Sequence, residues 1–399
     1  MNIQSISSQD CRKPRATFKA SYVTLSEKNL GHKIASDVVD AFNNKIFPEI
    51  QKTAFVEANA LIRSARVGKT DKVIVNPEDL RHNVNFFALA AGSGSRFKEL
   101  AQTVGDYNKI SLPFKIDENT NLHMLDFAMA MGKYFIGEEG VNKIVASQPS
   151  GSFGDIVEFY KTHPIKETIV CCGDNVFGDN AFDIMKFFIK EINNPHKHVA
   201  LVGVGRTPEE VANRFGVLNA KKTLKSENLK LRGFSEKPEL EEARNLAIDG
   251  KNIANTGLFY ISKEAMEKLM EEINSGVNNI KKNDVELYDF ANAVKYIHSK
   301  LLDWVNIRPI NGADVKVVDK WEDVGEPKAL YQFADDVKHG MYLHNFPQEM
   351  AEKIQTAFAK RVHIYPESEY PYINFSDSLQ INSKKLAEAK NIEGVNIIV

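Results

Sequence analysis

The stretch FFALAAGSGSRF, residues 86–97, runs from an apolar, strand-like segment into two glycines, two serines and an arginine. A glycine-rich turn directly after a strand is typical of sites where backbone N–H groups approach an anion closely. Two familiar phosphate motifs do not fit: Phe97 stands where the dinucleotide fingerprint needs its third glycine, and no Lys-Ser/Thr pair closes the turn as in a P-loop. On these residues alone, two alternatives stay open: an anion-binding loop, or an ordinary turn whose arginine lies at the surface.

Strand-like and helical patterns alternate after this loop. We predict strands at 84–90, 142–147, 167–172, 198–204, 231–235 and 254–261, and helices at 121–136, 179–193 and 207–215. Thr207, Pro208 and Glu210 supply an N-cap, a first-turn proline and a capping-box acid for the last of these helices. The alternation predicts an α/β, Rossmann-like fold: a mainly parallel mixed sheet flanked by helices, with ligands beyond the carboxyl ends of its strands.

Composition argues against several classes of protein. The formal net charge of -2 over 399 residues provides no global basic field for nucleic acid. No apolar run approaches the roughly 18 residues of a membrane span, and the N-terminus lacks the apolar core of a signal peptide. Three cysteines, two of them adjacent at 171 and 172, form no disulfide framework and suit a reducing compartment. We therefore expect a cytoplasmic protein whose Cys171 and Cys172 are buried strand thiols.

The glycine loop is the first of a series of short motifs. The others are NKISLP (108–113), CCGDN (171–175), RFGVL (214–218), FSEKPE (234–239), NTGLF (255–259) and WEDVG (321–325). In this order the motifs resemble those of sugar-phosphate nucleotidyltransferases, over about residues 86–333. The GDN form is most similar to the glucose-1-phosphate thymidylyltransferase and ADP-glucose pyrophosphorylase branches. The resemblance implies the nucleotidyltransferase fold and a reaction in which a sugar 1-phosphate, glucose 1-phosphate above all, joins a nucleoside triphosphate and releases pyrophosphate.

The resemblance also implies a role for each motif. Arg96, Lys109 and Asp174 would be catalytic, with Lys115 competing for the role of Lys109 because the gap after Arg96 is long. Asp174 and Asp323 would hold Mg²⁺. The nucleotide would be bound by Leu89, Ala90, Gly92, Gly94, Ser95, Arg96, Gln148 and Gly151. The sugar phosphate would be bound by Gly216, Glu236, Lys237, Asn255 and Gly257.

These residue types suit a reaction between two anions. Two carboxylates can hold a divalent cation that bridges the incoming and leaving oxygens. An arginine grips phosphate oxygens in a fork, and a lysine provides a compact point charge. Each motif alone also has an ordinary structural interpretation: Asp174 as a helix cap, Asp323 as a turn former and Glu-Lys-Pro as a surface turn. Two departures from the family pattern are Ser95 and Glu326, each standing where threonine is usual.

We predict three segments along the chain. Residues 1–83 form an N-terminal arm and helical extension, 84–335 the catalytic domain, and 336–399 a C-terminal α+β extension that opens with a helix at 347–361. The apolar face of a helix at 33–50 needs cover, and we expect a homo-oligomer.

Two other functions remain as alternatives. One is a non-catalytic regulatory subunit of the same fold that senses sugar phosphate or nucleotide. The other is a nucleic-acid-binding protein using the basic CRKPR segment, which the near-zero net charge disfavours. We therefore expect a nucleoside triphosphate and a sugar 1-phosphate as partners, and neither nucleic acid nor a membrane.

Overall fold

The structure is a computed structural model of the chain. It describes residues 77–90, 110, 113–117, 119–136, 141–145, 151–178, 181–194, 197–222, 228–275, 313–325 and 327–361, and the backbone of short strands at 23–24, 363–365, 372–374 and 396–398. The predicted helix at 33–50 lies outside the described residues, so the homo-oligomer inferred from its apolar face stays a prediction.

The described strands belong to one large sheet and three small ones. In chain order they are β1 (Val23–Thr24), β2 (Val84–Leu89), β3 (Pro113–Asp117), β4 (Thr120–His123), β5 (Val141–Val145), β6 (Glu167–Cys172), β7 (Asn175–Phe177), β8 (Val199–Arg206), β9 (Val217–Lys222), β10 (Leu229–Ser235), β11 (Asn252–Ile261), β12 (Asp314–Val318), β13 (Trp321–Asp323), β14 (His363–Tyr365), β15 (Tyr372–Asn374) and β16 (Asn396–Ile398).

The large sheet has the strand order β1-β5-β2-β6-β11-β8-β12-β10-β9. Seven of these nine strands point the same way, and β10 and β11 run opposite to them. The prediction of a mainly parallel mixed sheet is thus confirmed. Three smaller pairings accompany it: β3 with β4, β7 with β13, and β15 with both β14 and β16.

Helices cover both faces of the sheet. They are α1 (Pro77–Asn83), α2 (Met124–Ile136), α3 (Gly151–Tyr160), α4 (Ala181–Ile192), α5 (Pro208–Val211), α6 (Leu240–Leu246), α7 (Lys263–Ser275), α8 (Pro327–Lys338) and α9 (Gln348–Arg361). Phe86 and Ala88 of β2 are buried in a core with α2, α4, α8 and α9, whereas Phe87 and Leu89 are buried in a second core with α3 and α7. The opening stretch therefore begins as a central strand buried on both faces, as its unbroken apolar run predicts.

Two predicted helices are shorter than expected. The segment predicted as helical from 121 begins its helix at Met124, because Thr120–His123 pairs with β3 as strand β4. The predicted helix at 207–215 forms only at Pro208–Val211. Its capping box is confirmed: the Glu210 backbone N–H donates to Thr207 Oγ1 at 3.4 Å, and the Thr207 N–H donates to Glu210 Oε2 at 2.7 Å. The helix ends at Val211 because Ala212 leaves helical backbone, with ψ 127°, and Asn213 follows in left-handed backbone, with φ 58°.

The predicted boundary at 335/336 falls within α8 (Pro327–Lys338). Phe333 lies before it and Val337, Tyr342 and Phe358 lie after it, yet all four are buried in the same core. The first part of the third segment therefore shares the packing of the second, and the division into three segments stays a prediction. Among the described residues, no helix is long and apolar enough to span a membrane.

Candidate active site

The glycine loop and the GDN motif start side by side at one edge of the sheet. Leu89, the last residue of β2, pairs with Cys172, the last residue of β6, and the Gly173 N–H donates to the Leu89 carbonyl at 2.8 Å. Leu89 and Ala90 are buried. The two motifs therefore leave the sheet next to each other, at the carboxyl edge where parallel strands present their ligand sites.

Several predicted nucleotide-binding and catalytic residues fall outside the described part of the chain. They are Gly92, Gly94, Ser95, Arg96, Lys109 and Gln148. Lys115 lies in β3, and Gly151 is the first residue of α3. The roles of all these residues stay predictions.

A short ladder places the two predicted metal ligands at neighbouring positions. β7 follows Asp174 directly and pairs antiparallel with β13, so that Asn175 lies opposite Asp323. The Val324 N–H also donates to the Asp174 carbonyl at 3.0 Å. Both aspartates are partly buried. Two motifs that are far apart in the sequence thereby come together, with Asp174 and Asp323 at neighbouring backbone positions.

The carboxylates suit Mg²⁺ by their chemistry. Both offer hard oxygen ligands, and Mg²⁺ accepts one or two protein carboxylates while keeping waters and phosphate oxygens in its remaining positions. The described residues contain no group of three or more His, Cys, Asp or Glu side chains that could hold a metal. A cation at Asp174 and Asp323 would keep waters or substrate oxygens in its remaining positions.

The NTGLF motif, a bulge within β11, packs directly against the GDN motif. Gly257 has φ +71°, and a Cβ on it would lie 2.7 Å from Cys172 Sγ and 3.1 Å from Asn175 Nδ2. The Asn175 side chain donates to the Thr256 carbonyl, and the Gly257 N–H donates to Asn255 Oδ1 at 3.2 Å. Both the backbone angle and the lack of space therefore require glycine at position 257. The bulge holds the side chain of Asn175, the residue that follows Asp174.

The same bulge is hydrogen-bonded to the RFGVL motif, which in turn pairs with the strand that leads into the EKP motif. The Asn255 N–H donates to the Gly216 carbonyl at 2.8 Å, and Val217 pairs with Ser235. A Cβ on Gly216 would lie 2.9 Å from Glu236 Oε2. The Lys237 side chain is 60% exposed and its ammonium lies 3.9 Å from Glu236 Oε1. Lys237 also adopts left-handed backbone, with φ 44°. All five predicted sugar-phosphate residues therefore lie along one connected path.

Two side chains at this edge escaped the sequence analysis. Arg206, at the end of β8, donates to the Trp321 carbonyl. Phe215 packs edge-on against the Trp321 ring, with 5.2 Å between ring centroids. The RFGVL and WEDVG motifs each contain an aromatic residue that could have suggested this contact, whereas nothing local marks Arg206.

The Cys171 thiol is an unsuitable nucleophile. Its side chain is fully buried, and burial, with the nearby Asp174 charge as a lesser cause, raises the pKa of the Cys171 thiol far above its ordinary value. Cys172 is partly buried. The prediction of strand thiols without a catalytic role is consistent with both positions.

The sequence patterns also gave no sign that Asp155, in α3, is a buried carboxyl. Asp155 is 0% exposed, and neither of its oxygens has a hydrogen-bond partner among the residues that the structure describes. Burial, with the Glu158 charge as a second cause, raises the pKa of Asp155 from its ordinary 3.8 to about 8. Such a pKa favours the protonated form of Asp155 in the folded protein at neutral pH.

We expect Asp155→Asn to flatten the dependence of stability on pH. Folded Asp155 holds a proton between pH 4 and 8 that the unfolded chain releases, so the wild type's free energy of unfolding falls as pH rises through this window and levels off above it. Between pH 5 and 8 the wild type should lose about 2–4 kcal/mol more than the variant. Urea unfolding at several pH values measures this, with Asp183→Asn on the exposed side of α4 as control. Parallel pH profiles for wild type and Asp155→Asn would show that folded Asp155 is ionised.

A sequence comparison agrees with the motifs at this edge. Residues 139–340, just over half of the chain, match the sequence model of the nucleotidyl transferase family. The match includes GDN, RFGVL, EKP, NTGLF and WEDVG, and begins after the glycine loop. No curated protein sequence matches the chain.

A comparison with solved structures also gave matches at low identity. A protein assigned as a glucose-1-phosphate thymidylyltransferase from Bacillus anthracis, in complex with sucrose, is 16% identical, with a TM-score of 0.42 over 62% of this chain and 93% of that one. A UDP-glucose pyrophosphorylase complexed with UDP-glucose is 15% identical, with a TM-score of 0.43 over 70% and 100% of the two chains. A mannose-1-phosphate geranyltransferase from Thermus thermophilus is 15% identical, with a TM-score of 0.41 over 63% and 78%. These identities are too low to transfer a substrate.

Proposed function

The chain belongs to the nucleotidyl transferase family, and we propose that it joins a sugar 1-phosphate, with glucose 1-phosphate the first candidate, to a nucleoside triphosphate. The products are an NDP-sugar and pyrophosphate. A phosphate oxygen of the sugar 1-phosphate attacks the α-phosphorus, and the bond from that phosphorus to the bridging oxygen of the leaving pyrophosphate breaks. Both substrates are anions, so the protein's task is to position them and to offset their repulsion.

The observation that carries the proposal is the β7–β13 ladder. It brings Asp174 and Asp323 to neighbouring positions at the edge where the glycine loop also leaves the sheet. A Mg²⁺ ion bound by these carboxylates would neutralise charge on the triphosphate and on the leaving pyrophosphate. The paired aspartates thus supply the anionic ligands that a metal-dependent nucleotidyl transfer needs.

The sugar phosphate is assigned to the path from Gly216 to Gly257. Lys237 is exposed at its end and would bind the phosphate as a point charge. Glu236 lies against Gly216 and would accept a hydrogen bond from a sugar hydroxyl. Arg96 and Lys109 would hold the triphosphate, as the resemblance implies.

A panel of pyrophosphate-release assays tests the proposal. The full chain with Mg²⁺ is given five nucleoside triphosphates in turn, each with glucose, mannose or galactose 1-phosphate, and Asp174→Asn serves as the inactive control. Release that requires both substrates supports the proposal and names the base and the sugar. Tight binding of either substrate without release from any pair would favour a regulatory subunit of the same fold instead.

We expect Lys237→Ala to raise the KM for the sugar 1-phosphate by about 10-fold or more, because a charge-assisted contact contributes about 1.5–3 kcal/mol. The KM for the triphosphate should change much less. Separate KM measurements test this, with Lys268→Ala on α7 as a matched control, since Lys268 is exposed and paired only with an acid on its own helix among the described contacts. Equal rises in both KM values would remove Lys237 from the sugar-phosphate site.

A further inference from the structure

Arg206 joins the end of β8 to the strand that carries Asp323. Its guanidinium donates to the Trp321 carbonyl, lies 3.7 Å from Glu322 Oε2 and sits 5.9 Å from the centre of the Trp321 ring. One side chain thus contacts both residues that precede Asp323. These contacts are partly shielded from water, since the Arg206 and Glu322 side chains are 19% and 24% exposed.

The β13 strand lies outside the large sheet, with the Trp321 side chain buried in the core. It is three residues long and pairs with β7, which is equally short, in a sheet separate from the nine-stranded one. β8, in contrast, is an eight-residue strand paired on both sides, with β11 and β12. Arg206 therefore links a three-residue strand to an eight-residue strand that is hydrogen-bonded on both sides.

The Trp321 ring also contacts the RFGVL motif, which carries the predicted sugar-binding residue Gly216. Phe215, next to Gly216, packs edge-on against the Trp321 ring. A planar guanidinium can bond a carbonyl, pair with a carboxylate and lie over a ring at once, whereas a lysine ammonium cannot reproduce the fixed fork.

We propose that Arg206 is a positioning residue for the metal: it sets the place of Asp323 through the Trp321 carbonyl and Glu322, and so determines the affinity for the divalent cation. This inference rests on the metal assignment in the proposed function. Residues that orient a metal ligand typically change metal affinity by about 10–100-fold when substituted. Arg206 would therefore act through Asp323 and not as a ligand of the cation.

The test is the binding of Mn²⁺ alone, measured by isothermal titration calorimetry without substrates. We expect Arg206→Met to weaken Mn²⁺ binding about 10-fold or more and Arg206→Lys to weaken it by less, because lysine restores the charge but not the fork. The half-saturating Mg²⁺ concentration in turnover should rise in parallel, with smaller changes in the KM values of the two substrates. Circular dichroism checks that the variants fold, and Arg206→Lys keeps the test open if Arg206→Met does not fold.

Arg244→Met is the matched control. Arg244 also donates to a carboxylate, Glu209 Oε1 at 3.0 Å, but both partners are about 60% exposed and neither adjoins Asp323. It should bind Mn²⁺ as the wild type does.

Three results would overturn the inference: Arg206→Met with wild-type affinity, Arg206→Lys with full wild-type affinity, or a wild type that binds no Mn²⁺. The second result would mean that charge alone matters and not position. A wild type that binds Mn²⁺ with the expected order of variants, yet releases no pyrophosphate from any substrate pair, would end the proposed function and leave the positioning role of Arg206 standing.

Discussion

Asp174→Asn should reduce kcat by at least about 100-fold, since electrostatic stabilisation of the transferring phosphoryl group is usually the largest single contribution to such catalysis. Asparagine has nearly the same size and keeps one oxygen, so it can still occupy the end of β6. It lacks the negative charge that holds a hard divalent cation. The backbone contacts of this residue, including the bond from the Val324 N–H to its carbonyl, do not depend on the side chain.

The loss should appear in kcat and not only in KM. A cation held by Asp174 and Asp323 would act on charge that develops as pyrophosphate leaves, which is stabilisation of the transition state. Asp323→Asn should act in the same direction, because Asn175 and Asp323 face each other across the ladder. If both aspartates bind one cation, the double variant should be little worse than the poorer single variant.

The measurement is turnover against Mg²⁺ concentration for the wild type and each variant, with the free energy of unfolding as the folding check. Asp249→Asn is the control: Asp249 is exposed and has φ 51°, a backbone conformation that asparagine also tolerates. A folded Asp174→Asn enzyme with near-normal kcat at low Mg²⁺ would sink the metal assignment.

The central strands could be predicted from sequence because their signal is local. Residues 84–89 and 167–172 are mostly apolar, and the central residues of each segment are buried on both faces of the sheet. The capping box at Thr207 is equally local, since all of its atoms come from four consecutive residues. Such features depend on spacing within one segment, and the sequence displays that spacing directly.

β7 and β13 could not be predicted in the same way. Each has three residues, too few for a periodic pattern, and each forms only because the other lies beside it. The motifs named Asp174 and Asp323, but their nearness comes from a pairing between distant segments. The contact from Arg206 to the Trp321 carbonyl is invisible for the same reason: a backbone acceptor carries no signature in the sequence.

The glycines of the motifs illustrate the difference most clearly. The sequence marks Gly257 as a member of NTGLF and permits a simple strand bulge there. The structure adds the cause: left-handed backbone, and a Cβ position already occupied by Cys172 and Asn175. A second glycine, Gly250, has nearly the same φ, +75°, with nothing within 4 Å of its Cβ position. The pair separates the effect of backbone angle from the effect of space.

Gly257→Ala should therefore be far more damaging than Gly250→Ala. An L-residue in left-handed backbone costs about 1–2 kcal/mol, and both variants should lose this much of their free energy of unfolding. Gly257→Ala should lose about 1–3 kcal/mol more, because its methyl group must displace Cys172 Sγ and the Asn175 side chain. Asn175 follows Asp174 directly, and its side chain donates to the Thr256 carbonyl. Displacement of Asn175 should therefore also lower kcat, by up to about 100-fold if the ligands move by 1 Å. Gly250→Ala should keep normal kcat.

A double-mutant cycle identifies the cause of the extra loss. Cys172→Ala removes the sulfur that lies 2.7 Å from the new methyl group, so it should recover part of the stability of Gly257→Ala while lowering that of the wild type. Urea unfolding and turnover are measured for both single variants, the double variant and Gly250→Ala. If Gly257→Ala and Gly250→Ala lose the same stability, and Cys172→Ala has an additive effect, then backbone angle alone explains the glycine. In that case the close packing of the NTGLF bulge on Asn175 does not position Asp174 and Asp323.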